Sequence, residues 1–145
     1  MTATATKGHN FRDIMSTDPV TLPVTATVLE AAKKMRSHDV GDVMVLNEGK
    51  VCGVVTDRDL VVRALAEGSD PQETQLGGIC SASVVTVGAD ASIDDAVELM
   101  RMHAIRRLPV VDGEKPIGVV SIGDLAIARD PKSALAEISA APSNS

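Results

Sequence analysis

Apolar residues along this chain form two kinds of segment, one with helical spacing and one made of short continuous runs. Helical spacing follows Thr27 and Ser92, and each of these residues has an acidic residue three positions on, which is the pattern of a capping box. After each predicted helix come two apolar runs divided by a polar turn that contains glycine, which predicts a β-hairpin. The runs span 43–46 and 51–56 in one hairpin, and 108–111 and 117–121 in the other.

Shorter signals predict the remaining elements. A short strand precedes each helix, at 19–22 and 84–87, and a further helix follows each hairpin, at about 58–66 and 124–128. A last helix is predicted from Pro131 to about Ile138, with Asp130 as its cap. The chain therefore alternates between strands and helices over most of its length.

The same series of elements, β-α-β-β-α, occurs twice along the chain. Residues 14–65 align with 79–130 without a gap, and Gly53-Val54-Val55 falls on Gly118-Val119-Val120. One such unit buries too little apolar surface alone, so the two are expected to share a core, with a pseudo-two-fold axis and a functional cleft between them. The predicted fold class is α/β (α+β).

The repeat also predicts the boundaries along the chain. A flexible tail covers 1–9, the first repeat with its lead-in helix and linker covers 10–78, and the second repeat covers 79–130. A short helix and a disordered tail are expected over 131–145.

Composition and charge exclude several classes of function. Aromatic residues make up 1% of the chain, with Phe11 as the only one, so the core must be aliphatic. The net charge of −6 disfavours DNA or RNA binding, which depends on basic residues that neutralise phosphates. No apolar run reaches the ~18–20 residues of a membrane span, and no secretory signal is visible, so the expected compartment is the cytoplasm.

Metal and disulfide chemistry are not predicted. The histidines and cysteines lack the spacing of a metal site, and two cysteines do not make a disulfide framework in a cytoplasmic protein. Cys52 lies in a predicted strand and is expected to be a small core residue, whereas Cys80, in the linker, is the more reactive candidate.

Each hairpin runs into its second helix through one residue pattern: glycine, two apolar residues, a hydroxyl residue, two variable positions and aspartate. The hydroxyl residues are Thr56 and Ser121, and the aspartates are Asp59 and Asp124. A hydroxyl and free N–H groups at a helix N-terminus attract phosphate, and a carboxylate one turn later can accept both hydroxyls of a ribose. The alternative is that the hydroxyls only cap their helices and the aspartates only favour the helix dipole. Because no nucleophile motif or metal cluster accompanies the carboxylates, an enzymatic role is not predicted.

This pattern, the strand Leu108–Asp112 and the order of elements resemble cystathionine-β-synthase-type (CBS) repeats over about residues 12–130. The stretch 10–15 resembles the lead-in helix of such repeats, and the whole chain is similar to stand-alone two-repeat proteins of the actinobacterial hypoxic-response type. The resemblance implies one Bateman module, in which paired repeats bind AMP, ADP, ATP or S-adenosylmethionine in their cleft and pairs dimerise. No resident cofactor is implied. By resemblance the phosphate falls to Thr56 and Ser121, the ribose to Asp59 and Asp124, and the adenine to Val20-Thr21 and Val85-Thr86, with Pro109 in the second site.

The two predicted sites differ in charge. Before its second strand, repeat two carries Arg106-Arg107, as regulatory subunits of AMP-activated protein kinases do, where repeat one has Gly41-Asp42. A carboxylate repels phosphate, so the first site is expected to be weaker or suited to an uncharged nucleoside, unless Arg58 compensates. The alternative for Arg106-Arg107 is a solvated pair that meets surface acids.

Two functions from different classes follow from these residues. The first is a regulatory sensor whose dimer geometry shifts when an adenosine-containing ligand binds. The second is a ligand-free homodimeric scaffold in a stress or hypoxic response, with an unidentified protein partner. Apolar residues left over on the helices, Val61, Val62, Ala126 and Ile127, predict the homodimer in both cases.

Overall fold

The computed structural model describes residues 11–80, 85–130 and 132–141. They divide into two compact units, one from Pro19–Val84 and one from Val85–Ser145 together with Met1–Asp18. We name these the first unit and the second unit. The tail predicted over 1–9 and the end of the predicted C-terminal tail lie outside the described residues.

The secondary structure follows the predicted order. In chain order the elements are α1 (Phe11–Ile14), β1 (Ser16–Thr17), β2 (Thr21–Pro23), α2 (Val28–His38), β3 (Asp42–Asn47), β4 (Lys50–Thr56), α3 (Asp57–Asp59), a π-helical segment (Leu60–Leu65), a 3-10 turn (Leu76–Gly78), β5 (Val87–Gly88), α4 (Ile93–His103), β6 (Arg107–Asp112), β7 (Lys115–Ser121), α5 (Ile122–Arg129) and α6 (Ala134–Ala140). The β-α-β-β-α series is confirmed in both repeats.

Each unit is built on its own sheet. In the first unit the strand order is β2-β3-β4, with β2 parallel and β4 antiparallel to β3. The order in the second unit is β1-β7-β6-β5, and its parallel pair is β5 with β6. Helices pack on one face of each sheet over a core of Val, Leu, Ile, Ala and Met, to which Phe11 is the one aromatic addition. Among the described residues, no helix is long and apolar enough to cross a bilayer.

The lead-in segments are exchanged between the repeats. Phe11 precedes the first repeat in sequence, yet it is fully buried in the core of the second unit, where Ser16 also pairs with Val119 of β7. Leu76, which the repeat alignment places opposite Phe11, precedes the second repeat and is fully buried in the core of the first unit. The sequence order assigns the lead-in helix to the first repeat, whereas packing assigns it to the second unit, where β1 pairs antiparallel with β7.

The helix caps read from the sequence are confirmed. Thr27 and Glu30 form a reciprocal capping box at the start of α2, with backbone-to-side-chain distances of 3.2 and 3.3 Å. Ser92 and Asp95 do the same at the start of α4. Each cap satisfies two N–H groups that a helix start leaves without a partner.

The first strand of each repeat begins later than predicted. In the first repeat, pairing with β3 starts at Thr21 opposite Met44, and the Met44 N–H also donates to Val20 O at 2.8 Å. Met44 aligns with Pro109 in the second repeat, and proline has no N–H to donate. Pairing in the second repeat therefore starts one register later, at Val87 opposite Val110.

The last helix was predicted to start at Pro131, and this is wrong. It runs over Ala134–Ala140, and its cap is Ser133 rather than Asp130, with the Ser133 hydroxyl accepting from the Ala136 N–H at 3.1 Å. Ala140 belongs to this helix and not to a disordered tail, and residue 131 lies outside the described residues. A hydroxyl side chain that accepts from an N–H of the first turn stabilises a helix start. Here the bond to Ser133 sets the boundary of the helix.

A β-bulge brings the two cysteines together. Cys52 has no partner of its own in the ladder, because Val45 pairs with Gly53 while Leu46 pairs with Val51, and a bulge re-aims side chains. Burial, then the hydrogen-bonding Cys52 side chain and the Asp59 carboxylate, raise the pKa of Cys80 to about 12, against a smaller lowering by Arg63. The expectation that Cys80 is the more reactive thiol is therefore wrong, since the thiolate is the reactive form.

Substituting alanine at the two equivalent glycines tests how tightly each lead-in segment is packed. A Cβ at Gly118 would lie 2.5 Å from Met15 Sδ and 2.8 Å from the Ser16 carbonyl, whereas one at Gly53 would lie 3.7 Å from Cys80 Sγ. Gly118→Ala should lower the free energy of unfolding by about 1–3 kcal/mol because β1 must move. Gly53→Ala, the matched control, should change it by less than about 1 kcal/mol. Denaturant unfolding measures both, and equal losses would contradict the packing described.

Alkylation tests the protection of Cys80. Only about one thiol in 10⁴ is ionised at pH 8 when its pKa is about 12. Iodoacetamide at pH 8 should therefore label the Cys80 peptide of the folded chain at least ~100-fold more slowly than the same peptide of the urea-unfolded chain, as followed by mass spectrometry. Labelling of the folded chain should accelerate as the pH rises, because deprotonation creates the nucleophile. Similar rates in the folded and unfolded chains at pH 8 would rule out the raised pKa.

Candidate functional site

Both hydroxyl–aspartate pairs form capping boxes where a hairpin runs into its second helix. In the first unit the Asp59 N–H donates to Thr56 Oγ1 at 3.1 Å, and the Thr56 N–H donates to Asp59 Oδ2 at 2.8 Å. The Ser121–Asp124 pair repeats these bonds at 3.1 and 2.8 Å. The capping interpretation of these residues is therefore correct as a description of their structural role.

Capping does not use up the chemistry of these side chains. Each hydroxyl accepts one bond and still has its O–H to donate, and each carboxylate accepts through one of two oxygens. In the first unit the other oxygen, Asp59 Oδ1, lies 3.9 Å from Arg63 Nε. The position equivalent to Arg63 is Ala128, which brings no cation to Asp124. Both pairs are half-buried, and the cap holds each hydroxyl and carboxylate in a fixed orientation.

All backbone N–H groups at the helix start of the first unit already have hydrogen-bond acceptors. The Asp57 N–H donates to Gly41 O at 2.9 Å, and the Arg58 N–H donates to the Asp57 carboxylate at 2.8 Å. With Thr56 and Asp59 bonded to each other, every N–H from 56 to 59 has an acceptor. The Asp57 carboxylate thus lies where an anion would bind a helix N-terminus.

The helix start of the second unit keeps one donor open. The Ile122 N–H donates to Arg106 O at 2.9 Å, and Ile122 has no carboxylate to fold back. Gly123 N–H belongs to the first turn, whose donors have no intrahelical acceptor, and no side chain of the described residues accepts from it. The Ser121 hydroxyl and the Gly123 N–H together can therefore donate to one oxyanion.

Charge next to the two junctions follows the predicted asymmetry. Arg107 lies opposite Ser121 in the β6–β7 ladder, and Asp42 occupies the same register opposite Thr56. Arg106 immediately precedes β6, and its side chain is exposed. The second junction is thus flanked by cations and the first by a carboxylate. The side chain of Arg58 is exposed and carries the one basic charge on the first turn.

In each unit, the residues predicted to hold adenine and the helix junction lie on opposite sides of the first hairpin strand, β3 or β6. Val20-Thr21 is separated from Thr56 by β3, and Val85-Thr86 is separated from Ser121 by β6. Strands lie about 4.8 Å apart, so each pair of positions is separated by about 10 Å across the sheet. Because Pro109 has no N–H, it cannot give Val85 O the bond that Met44 gives to Val20 O.

Sequence reasoning missed two of these features. Asp57 and Gly123 stood at positions of the motif treated as variable. The Asp57 carboxylate nevertheless accepts from the Arg58 N–H of its helix start, whereas the preceding residue in the second repeat, Ile122, brings no carboxylate to the Gly123 N–H. The signal was present, since Asp57 aligns with Ile122 and Arg58 with Gly123. Within the described ranges, no group of three or more His, Cys, Asp and Glu side chains is close enough to hold a metal ion.

Relatives of this chain occur among curated proteins. It is 39% identical over 118 residues to the CBS domain-containing protein YhcV of Bacillus subtilis, an alignment that covers 81% of this chain and 84% of that protein. It is 34% identical over 116 residues to Hypoxic response protein 1 of Mycobacterium tuberculosis, covering 79% of this chain and 81% of that protein.

Solved structures agree with these relatives. A crystal structure of Hypoxic Response Protein I with two coordinated zinc ions matches with a TM-score of 0.74 and 33% identity, over 81% of this chain and 96% of that one. The CBS domain pair of protein MJ0100, in complex with 5′-methylthioadenosine and S-adenosyl-L-methionine, matches with a TM-score of 0.75 and 26% identity, over 86% and 98%. The CBS domain family model matches residues 11–65 and 76–130. With two such repeats that each fold as β-α-β-β-α, the chain belongs to the CBS domain family.

Proposed function

We propose that this chain is a regulatory module that binds an adenosine-containing ligand, and that the second unit takes the phosphate of AMP, ADP or ATP. The observation that carries this proposal is the Ser121–Asp124 junction, where a capping box leaves a hydroxyl, a carboxylate oxygen and the Gly123 N–H available. The ligands in the MJ0100 structure, both built on adenosine, support the class of ligand.

Each part of a nucleotide has a matching group in the second unit. The Ser121 hydroxyl and the Gly123 N–H donate to a phosphate, and Arg106-Arg107 supply positive charge beside it. Asp124 accepts from the two ribose hydroxyls. Val85 O, to which Pro109 has no N–H to donate, accepts from the exocyclic amino group of adenine, and Thr86 borders the base.

The first unit suits an adenosine ligand without phosphate. Its ribose acceptor is Asp59 and its base-binding backbone is Val20-Thr21, but Asp57 and Asp42 place carboxylates at the phosphate position. Thr56 has an O–H to donate, and Arg58 offers one exposed charge. Since like charges repel in a partly buried site, an uncharged or cationic group on the ribose is preferred here, as in S-adenosylmethionine.

The same residues support regulation rather than catalysis. Asp57, Asp59 and Asp124 all accept backbone hydrogen bonds, so each carboxylate has a structural role in its helix start. In this proposal the module acts as a homodimer whose geometry responds to the ligand, and it controls a protein partner.

A ligand-free homodimeric scaffold in a stress or hypoxic response is the second candidate. Exposed apolar side chains on the second helix of each repeat favour it: Val61 is 53% exposed, Leu65 66% and Ile122 43%. Of the predicted interface residues, Val61 and Val62 are exposed, while Ala126 and Ile127 are half-buried. A scaffold would dimerise but would give no binding signal with any adenosine ligand.

Ribose recognition distinguishes the two candidates. Calorimetric titration should show that wild-type protein binds AMP about ten to a hundred times more tightly than deoxy-AMP, because one charged hydrogen bond is worth ~1.5–3 kcal/mol. Asp124→Asn should erase most of this preference. Its amide oxygen can still accept from the Ser121 N–H, so the melting temperature should change little.

Asp59→Asn is the matched control in the first unit, and it should leave the AMP preference intact because Asp57 keeps phosphate away from that junction. S-adenosylmethionine should show the reverse sensitivity, weakened more by Asp59→Asn than by Asp124→Asn. Equal binding of AMP and deoxy-AMP to wild type would refute the ribose role. No binding of any of these ligands would leave the scaffold as the function.

A further inference from the structure

The C-terminal helix α6 packs against Gly123 in the first turn of α5. A Cβ placed on Gly123 would lie 2.5 Å from Ser139 Oγ and 2.9 Å from Ser139 Cβ. That same position lies 3.6 Å from Ser121 Oγ, so the hydroxyls of Ser139 and Ser121 share one small region. A phosphate that accepts from the Ser121 hydroxyl on the side of Gly123 would therefore meet Ser139.

The contact between α6 and α5 requires glycine at position 123. Gly123 is buried, whereas Arg58, the equivalent residue in the first repeat, is exposed. Any side chain at 123 would displace Ser139, so the absence of a Cβ lets α6 approach the first turn of α5. The cover thus lies in the second unit, at the junction where the Gly123 N–H is open.

The attachment of α6 is limited. Ala136 is its one buried residue, while Leu135 is 43% exposed and Ile138 72% exposed. Beside it lies an apolar hollow of about 470 Å³, lined mainly by residues of α4 and α5 together with Leu135. Since a helix of seven residues has little stability of its own, its position depends on these few contacts.

We propose that α6 is a displaceable cover of the Ser121–Asp124 junction, so that docking of α6 and phosphate binding at Gly123 oppose each other. This inference rests on the proposed function and adds regulation to it. A ligand that binds only the uncovered form has its apparent affinity reduced by the fraction that is uncovered. An interaction that stabilises the docked position of α6 would then weaken nucleotide binding, and one that undocks α6 would strengthen it.

The test is a substitution that weakens the packing of α6 at a position outside the junction. Ala136→Gln introduces a polar side chain at the buried contact, and Ala140→Gln makes the same change on the same helix at an exposed position. With the full chain and AMP as the probe, calorimetry should show about tenfold tighter binding for Ala136→Gln and no change for Ala140→Gln. If wild type binds AMP and Ala136→Gln binds it with equal or lower affinity, the covering role of α6 is overturned while the proposed function stands.

Hydrogen exchange gives a second readout that does not depend on a variant. Saturating AMP should increase deuterium uptake in residues 134–140 of the wild-type chain and leave uptake in α2 unchanged. Gly123→Ala should increase uptake in 134–140 without ligand, because the new Cβ meets the side chain of Ser139. Slower exchange of α6 with AMP would overturn the cover. Failure of AMP to bind any of these proteins would overturn the proposed function and the cover with it.

Discussion

Reciprocal hydrogen bonds between a hydroxyl residue and an aspartate fix the junction of hairpin and helix in both repeats. Thr56 with Asp59, and Ser121 with Asp124, each close two bonds across a single helical turn. A cap of this kind is worth about 0.5–2 kcal/mol. Its larger consequence is geometric, because it orients the remaining donors of the first turn and holds a carboxylate oxygen beside them. The structural role and the proposed binding role therefore fall to the same side chains.

Two repeats with one backbone can thus differ in chemistry through a few side chains. The Asp57 carboxylate accepts from the Arg58 N–H, whereas the equivalent Gly123 N–H has no such carboxylate beside it. Asp42 occupies the position that Arg107 has in the second repeat. Pro109 removes the N–H that Met44 gives to the first strand, and so leaves Val85 O without that partner. These differences make the two junctions unequal although their capping bonds have the same lengths, 2.8 and 3.1 Å in each repeat.

Local patterns in the sequence predicted the parts of the fold that local forces determine. The capping boxes at Thr27 and Ser92 and the paired hairpins were visible because their partners lie a few residues apart. The exchange of lead-in segments was not visible, since nothing near Phe11 indicates which core it enters. The high pKa of Cys80 was equally hidden, because it depends on burial and on Cys52 and Asp59, which are distant in sequence.

The candidate site was predicted only in part. Its hydroxyls, aspartates and arginines were identified from the motif, and their binding roles remain predictions. The availability of each N–H could not be predicted, because it depends on whether Asp57 folds back and on what α6 covers. Residue type at positions 57, 58, 122 and 123 indicated a difference between the repeats but not its direction.

Backbone amide shifts during an AMP titration measure this difference most directly. With nitrogen-15-labelled protein, the Gly123 amide signal should shift and saturate with the same affinity as the calorimetric signal. The Arg58 amide, already bonded to the Asp57 carboxylate, should stay in place. A saturable shift at Arg58 with none at Gly123 would contradict the assignment of phosphate binding to the second unit.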